Sequence, residues 1–98
     1  MAAYIIVNYD VDDADLYGEY QADAGPALKV GTECKVLVVD PASDVLEGDD
    51  VGHQTVVLEF DSIGKAKEIY HSDAYQAVLP KRLRATSKHS AVLVNGFG

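Results

Sequence analysis

Glu59 stands in an otherwise apolar and aromatic run, Thr55-Val-Val-Leu-Glu-Phe60, so a strand here would place a carboxylate on a sheet face. Such an acid is costly to bury unpaired, and three readings follow: an interface ion pair, a hydrated rim, or a catalytic acid/base with a raised pKa. Asn8 holds the matching position of a second apolar run, Tyr4-Ile-Ile-Val-Asn-Tyr9. With the two strands as parallel neighbours, Asn8 would lie beside Glu59 near their carboxyl ends, as a substrate-binding partner. His71 precedes Ser72 between two helical stretches, and its ordinary pKa near neutrality suits a general base. The competing reading of His71 is a histidine that caps helix carbonyls.

Tyr75, Leu79 and Arg82 fall at i, i+4 and i+7 and share a face if their helix runs on. Pro80 predicts that it ends or bends, and an extended chain beyond would point Arg82 and Arg84 the same way. In either case a guanidinium accompanies a phenol beside an apolar sheet, which suits a small carboxylated or aromatic ligand. Against this stands a core Tyr75 with both arginines paired to acids of the first half or of a partner. The histidines, His53, His71 and His89, have no metal-ligand spacing, and Cys34 stands alone, so no metal is expected. No Gly-rich nucleotide fingerprint or nucleophile elbow is present, so no cofactor is expected.

The elements that must position these groups follow from periodicity and breakers. Strands are expected over 3–9, 34–39, 54–60 and 91–95, with a short return strand opening at Val45-Leu-Glu47. A first helix carries Leu16, Tyr17, Tyr20 and Ala24. A second, capped by Asp61-Ser62, carries Ile63, Ala66, Ile69 and Tyr70, and Ser72 caps a third segment. The order is βαββαβ, a ferredoxin-like α+β fold in one domain over 1–98. Residues 4–10 and 55–61 repeat one pattern of apolar, polar, aromatic and Asp positions. Alternation puts Ile5, Val7 and Tyr9 with Val56, Leu58 and Phe60 under the helices, and Tyr4, Ile6 and Asn8 with Thr55, Val57 and Glu59 on the other face. That second face is still largely apolar, so a four-stranded antiparallel-type sheet with helices on one side is expected to form a homodimer through the other.

The net charge is −8, with twelve acids in residues 1–50 and four of the eight Lys and Arg within residues 81–88. An acidic chain repels a phosphate backbone, which argues against nucleic acid. The N-terminal apolar run is short and lacks a basic flank, so no membrane span or secretion signal is expected and the cytoplasm is the expected location.

Several segments together resemble the domain-of-unknown-function 1330 family of the dimeric α/β-barrel (ferredoxin-like) superfamily. They are Ala3-Tyr-Ile-Ile-Val-Asn8, Leu16-Tyr-Gly-Glu-Tyr20, Val45-Leu-Glu-Gly48, Val57-Leu-Glu-Phe-Asp-Ser62, and Tyr70-His-Ser-Asp-Ala-Tyr-Gln76 leading to Arg82 and Arg84. The chain departs where the family usually has paired glycines and an Arg, with Gly31-Thr-Glu-Cys-Lys35 instead. The resemblance implies fold and dimer and no particular reaction, since superfamily relatives include cofactor-free monooxygenases, haem proteins and isomerases. The expected function is a small homodimer that binds a small organic molecule in a cleft beside the sheet. If it is an enzyme, the expectation is a cofactor-independent oxygenase or isomerase, with Glu59 or His71 moving a proton and Arg82 or Arg84 holding an anion. The alternative is a non-catalytic protein whose sheet face serves assembly alone.

Overall fold

The computed structural model describes residues 1–97. These form β1 (Ala3–Val11), α1 (Ala14–Ala27), β2 (Cys34–Asp40), β3 (Gln54–Phe60), α2 (Ile63–Tyr70), α3 (Asp73–Ala85) and β4 (Thr86–Asn95). Each helix starts at a side-chain cap that satisfies an otherwise orphaned backbone donor. The Asp13 carboxylate accepts from Leu16 N at 3.0 Å, Ser62 Oγ from Lys65 N at 3.1 Å, and Ser72 Oγ from Tyr75 N at 3.3 Å. In β1 the burial alternates strictly, with Ala3, Ile5, Val7 and Tyr9 inward. The three helices cover that inner face, where Ala66, Ile69 and Tyr75 meet Ile5, Leu58 and Phe60 in one core.

The sheet order is β2-β3-β1-β4, and every neighbouring pair is antiparallel. The expectation of parallel β1 and β3 is therefore corrected. Each βαβ half is split, and the first strand of one half is inserted between the strands of the other. Facing parity survives this reversal, because Ile5 pairs with Leu58 and Ile6 with Val57. Position along the strand does not survive it. Glu59 pairs with Tyr4 and Asn8 with Thr55, so Glu59 and Asn8 sit at opposite ends of the strand pair, about 14 Å apart at the rise of a strand.

Two further expectations are corrected. Residues 45–47 form no strand. They lie in the connection over residues 41–53, where Val45 and Leu46 are exposed among acidic neighbours. Pro80 does not end α3, which continues to Ala85. Both Pro80 and Gln76, whose carbonyl loses its helical donor, belong to the exposed side, while Leu79 and Arg82 face inward. The last strand accordingly begins at Thr86, earlier than expected. No helix among the described residues is long and apolar enough to cross a membrane.

The end of the 41–53 connection is clamped to β1. Asn8 Nδ2 donates to Gly52 O and to Thr55 Oγ1, each at 3.0 Å, and Asn8 Oδ1 accepts from Gly52 N at 2.7 Å. Gly52 is buried, and a Cβ there would overlap the Tyr9 carbonyl and the Asp10 nitrogen, both backbone groups that cannot swing aside. Gly52→Ala should therefore cost about 3 kcal/mol or more in a denaturant titration, whereas Gly18→Ala, in open space on α1, should be neutral or stabilising.

Candidate ligand cavity

Continuity of α3 past Pro80 puts Tyr75, Leu79 and Arg82 on one face, as the helical spacing alone requires. Arg82 is only 3% exposed. Its guanidinium carbon lies 5.2 Å from the centre of the Tyr9 ring and 6.0 Å from that of Tyr20. Tyr9 comes from the inward row of β1, Tyr17 and Tyr20 from consecutive turns of α1, and Tyr70 and Tyr75 from α2 and α3. Their rings form a contact chain with centroids 5.1–6.4 Å apart. Five of the six tyrosines thus gather on the helix side of the sheet, and only Tyr4 lies on the other.

The phenols are joined in pairs, Tyr9 to Tyr17 at 2.6 Å and Tyr20 to Tyr75 at 2.7 Å between oxygens. Two hydroxyls carry two protons and such a bond uses one. Each pair therefore keeps one O–H beyond the bond that joins it. Burial pushes the Tyr9 and Tyr20 phenols well above their ordinary pKa, and their bonds to Tyr17 and Tyr75 push the same way. Burial raises Tyr17 as well, although its bond to Tyr9 and the Arg82 charge oppose the rise. None of these three becomes a phenolate that could neutralise Arg82 at neutral pH. Burial acts against the Arg82 charge, but the surrounding oxygens of Tyr75, Tyr20 and Tyr9 outweigh it, and its pKa is raised. Among the described residues no carboxylate forms an ion pair with Arg82, and its Nε has no hydrogen-bond partner. The result is a buried cation without a counter-ion among the described residues.

Beside this cluster lies a cavity of about 220 Å³ between α1 and the sheet. Tyr9, Tyr17, Tyr20 and Tyr75 line its wall, and Ile5, Val7, Leu28, Val56 and Leu58 make much of the rest apolar. The partly exposed Val30, Val36 and Val39 line it beside β2, and a second, more polar cleft shares Tyr17, Gln21 and Val39 with it and reaches Asp10 and His53.

The other sequence candidates lie elsewhere. Arg84 is exposed, two residues beyond Arg82 and so about 200° round the helix, and the paired-arginine arrangement expected of an extended chain is corrected. His71 is exposed at the C-terminus of α2, where its backbone N–H donates to Lys67 O at 3.0 Å and its ring stands against Tyr70. Glu59 is half-buried on the face away from the helices, opposite Tyr4 on one side and Lys35 on the other. Its carboxylate favours the protonated Tyr4 phenol as a donor and raises that pKa. Asn8 shares that face, with its amide engaged by Gly52 and Thr55. The sheet thus separates Asn8 and Glu59 from the cavity. Cys34 is buried, and burial raises its thiol to about 11, which leaves it unreactive. The residues that sequence reasoning passed over are Tyr9, Tyr17 and Tyr20; the available signal was aromatic residues with a polar tip recurring at inward positions of β1 and α1.

The model of the domain of unknown function DUF1330 matches residues 2–97. The chain belongs to this family. No curated protein matches the DUF1330 chain. Among solved structures it is similar to a protein of unknown function from Rhodopseudomonas palustris, with TM-score 0.77, 15% identity, and coverage of 99% of this chain and 83% of that one. A putative antibiotic biosynthesis monooxygenase from Caulobacter crescentus is similar with TM-score 0.68 and 14% identity, over 99% of this chain and 91% of that one. A dimeric ferredoxin-like protein of unknown function from Thermobifida fusca follows with TM-score 0.62 and 15% identity, over 98% and 92%. At these identities the likeness establishes the ferredoxin-like fold.

The raised phenols give the DUF1330 protein a definite alkaline behaviour. Below the ordinary phenol value of 10.0 both the folded and the unfolded chain hold these protons, so the stabilisation is fully present. Above it the unfolded chain releases them first, and stability falls as pH rises. Melting temperature should drop steeply above about pH 10, and ultraviolet titration should show Tyr9, Tyr17 and Tyr20 ionising only as the protein unfolds. Ionisation of all tyrosines near their ordinary value in the folded protein would contradict the arrangement.

Proposed function

We propose that this DUF1330 protein is a homodimer in which each subunit binds a small organic molecule in the cavity between α1 and the sheet. The observation that carries the reading is an apolar cavity whose hydroxyl-bearing wall adjoins an uncompensated buried cation. Pockets of this make-up, apolar walls with a few convergent polar groups, are how proteins hold small molecules. In this reading Tyr75 touches the ligand, while Arg82, which does not line the cavity, supplies charge from behind the Tyr9 and Tyr20 rings. Among the described residues the cavity wall holds no carboxylate or histidine. Binding is therefore better supported than proton transfer by Glu59 or His71, which lie on the far face and at an exposed helix end.

The dimer reading rests on the outer sheet face. Ile6, Val38, Val57, Val92 and Val94 form an apolar band across all four strands, with Val92 53% and Val38 41% exposed. Lys35 and Glu59 flank the band at one end, and Asn8 and Ser90 at the other. An uncovered band with polar rims fits a second copy packed sheet to sheet. The dimeric description of the Thermobifida fusca neighbour supports the same occupant.

Sedimentation at micromolar concentration should give about twice the 10.5 kDa chain mass, and Val57→Asp should yield monomer with reduced stability. A native monomer would overturn the dimer. For the cavity, single-ring compounds should raise the melting temperature. Ala24→Leu, which fills the space under α1, should raise the melting temperature of the free protein and remove the response. Absence of any response in the native protein would overturn the binding reading.

A further inference from the structure

We propose that the ligand of this cavity is a monocarboxylate, with an apolar body against the sheet and its anion at the tyrosine pairs, as the missing counter-ion of Arg82. The inference rests on the cavity reading above and specifies the charge of the ligand. It starts from the sign and number of the buried charges. The guanidinium carries the positive charge of the cluster, the Tyr9, Tyr17 and Tyr20 phenols hold their protons at neutral pH, and among the described residues no carboxylate forms an ion pair with it. A cation entering the cavity meets repulsion with no nearby anion to offset it. A neutral ligand leaves the arginine as it was. A dianion neutralises it but carries a second charge against mostly apolar walls, where an unpaired ion is disfavoured. One negative charge is what the site lacks.

The hydrogen-bonding inventory leads to the same class. A carboxylate has two oxygens, acceptors only, with about four lone-pair positions. The Tyr9–Tyr17 and Tyr20–Tyr75 pairs each keep one O–H beyond their own bond, and these four hydroxyl-bearing residues line the cavity. Two donors of neutral charge, with a guanidinium behind two of their rings, give charge-assisted bonds to an anion without requiring the arginine itself to enter the cavity. The apolar wall and the volume of about 220 Å³ limit the remainder to a single ring or a short alkyl chain.

Isothermal titration of the native protein with benzoate, hexanoate and octanoate, each beside its primary amide, tests the inference at fixed pH and salt. The acids should bind about tenfold to a hundredfold more tightly than the amides of the same shape. In Arg82→Met this preference should vanish, with weak amide binding retained. Equal binding of acid and amide by the native protein would overturn the carboxylate assignment and leave the cavity reading standing. No binding by any of the compounds would overturn both. Persistence of the acid preference in a folded Arg82→Met protein would overturn the role of Arg82. The comparison within the native protein needs no variant to fold.

Discussion

A single positive charge, held under aromatic rings with no carboxylate among the described residues to meet it, sets the terms for the helix side of this molecule. A buried guanidinium is tolerated only where something replaces water around it. Here the faces of Tyr9 and Tyr20 and the Tyr75 oxygen replace part of that water, but they bring no counter-ion. That requirement ties β1, α1 and α3 to one another, because each supplies a tyrosine to the same cluster. It also accounts for the paired hydroxyls. A tyrosine buried without a partner for its hydroxyl would add a second orphaned polar group to the first.

The sheet divides the labour of the chain. On the helix side lie the arginine, five tyrosines and the cavity; on the other side lie an apolar band and its polar ends. Antiparallel order is what allocates the residues. Because β1 and β3 run in opposite directions, Glu59 comes to the end of the sheet where Tyr4 is, and Asn8 to the end where the connection over residues 41–53 is clamped. Each is thereby engaged locally, Glu59 with Tyr4 and Asn8 with Gly52 and Thr55.

Much of this was legible in the sequence. The alternation in residues 3–9 and 54–60, the capping residues Ser62 and Ser72, and the facing of Ile5 against Leu58 all follow from period and local chemistry. Strand direction did not follow, since side-chain parity is the same for parallel and antiparallel pairs, and the internal repeat says nothing about which strands become neighbours. Pro80 misled because a proline whose lost partner lies on the exposed side of a helix breaks one bond without breaking the helix. Tyr75 and Arg82 were joined by spacing alone. Tyr9, Tyr17 and Tyr20 were legible only as apolar periodicity, because the pairing of their hydroxyls depends on how α1 lies across β1, which no local pattern encodes. The close approach of Gly52 to Tyr9 is likewise a tertiary fact.

If the arginine is retained for a ligand, it strains the empty protein. Elsewhere, removing one member of a buried ion pair is harmful because it strands the other charge. Arg82 is already stranded, so replacing it with an apolar side chain of similar length removes a burden and breaks no ion pair. Sites kept for function commonly lower stability in this way. The most direct measurement is the equilibrium unfolding free energy of ligand-free native and Arg82→Met proteins in urea. The account predicts that the variant is as stable as the native protein or more so. A loss of about 3 kcal/mol or more, with the variant otherwise folded, would show that the guanidinium is compensated within the fold and would contradict the claim that its counter-ion comes from outside.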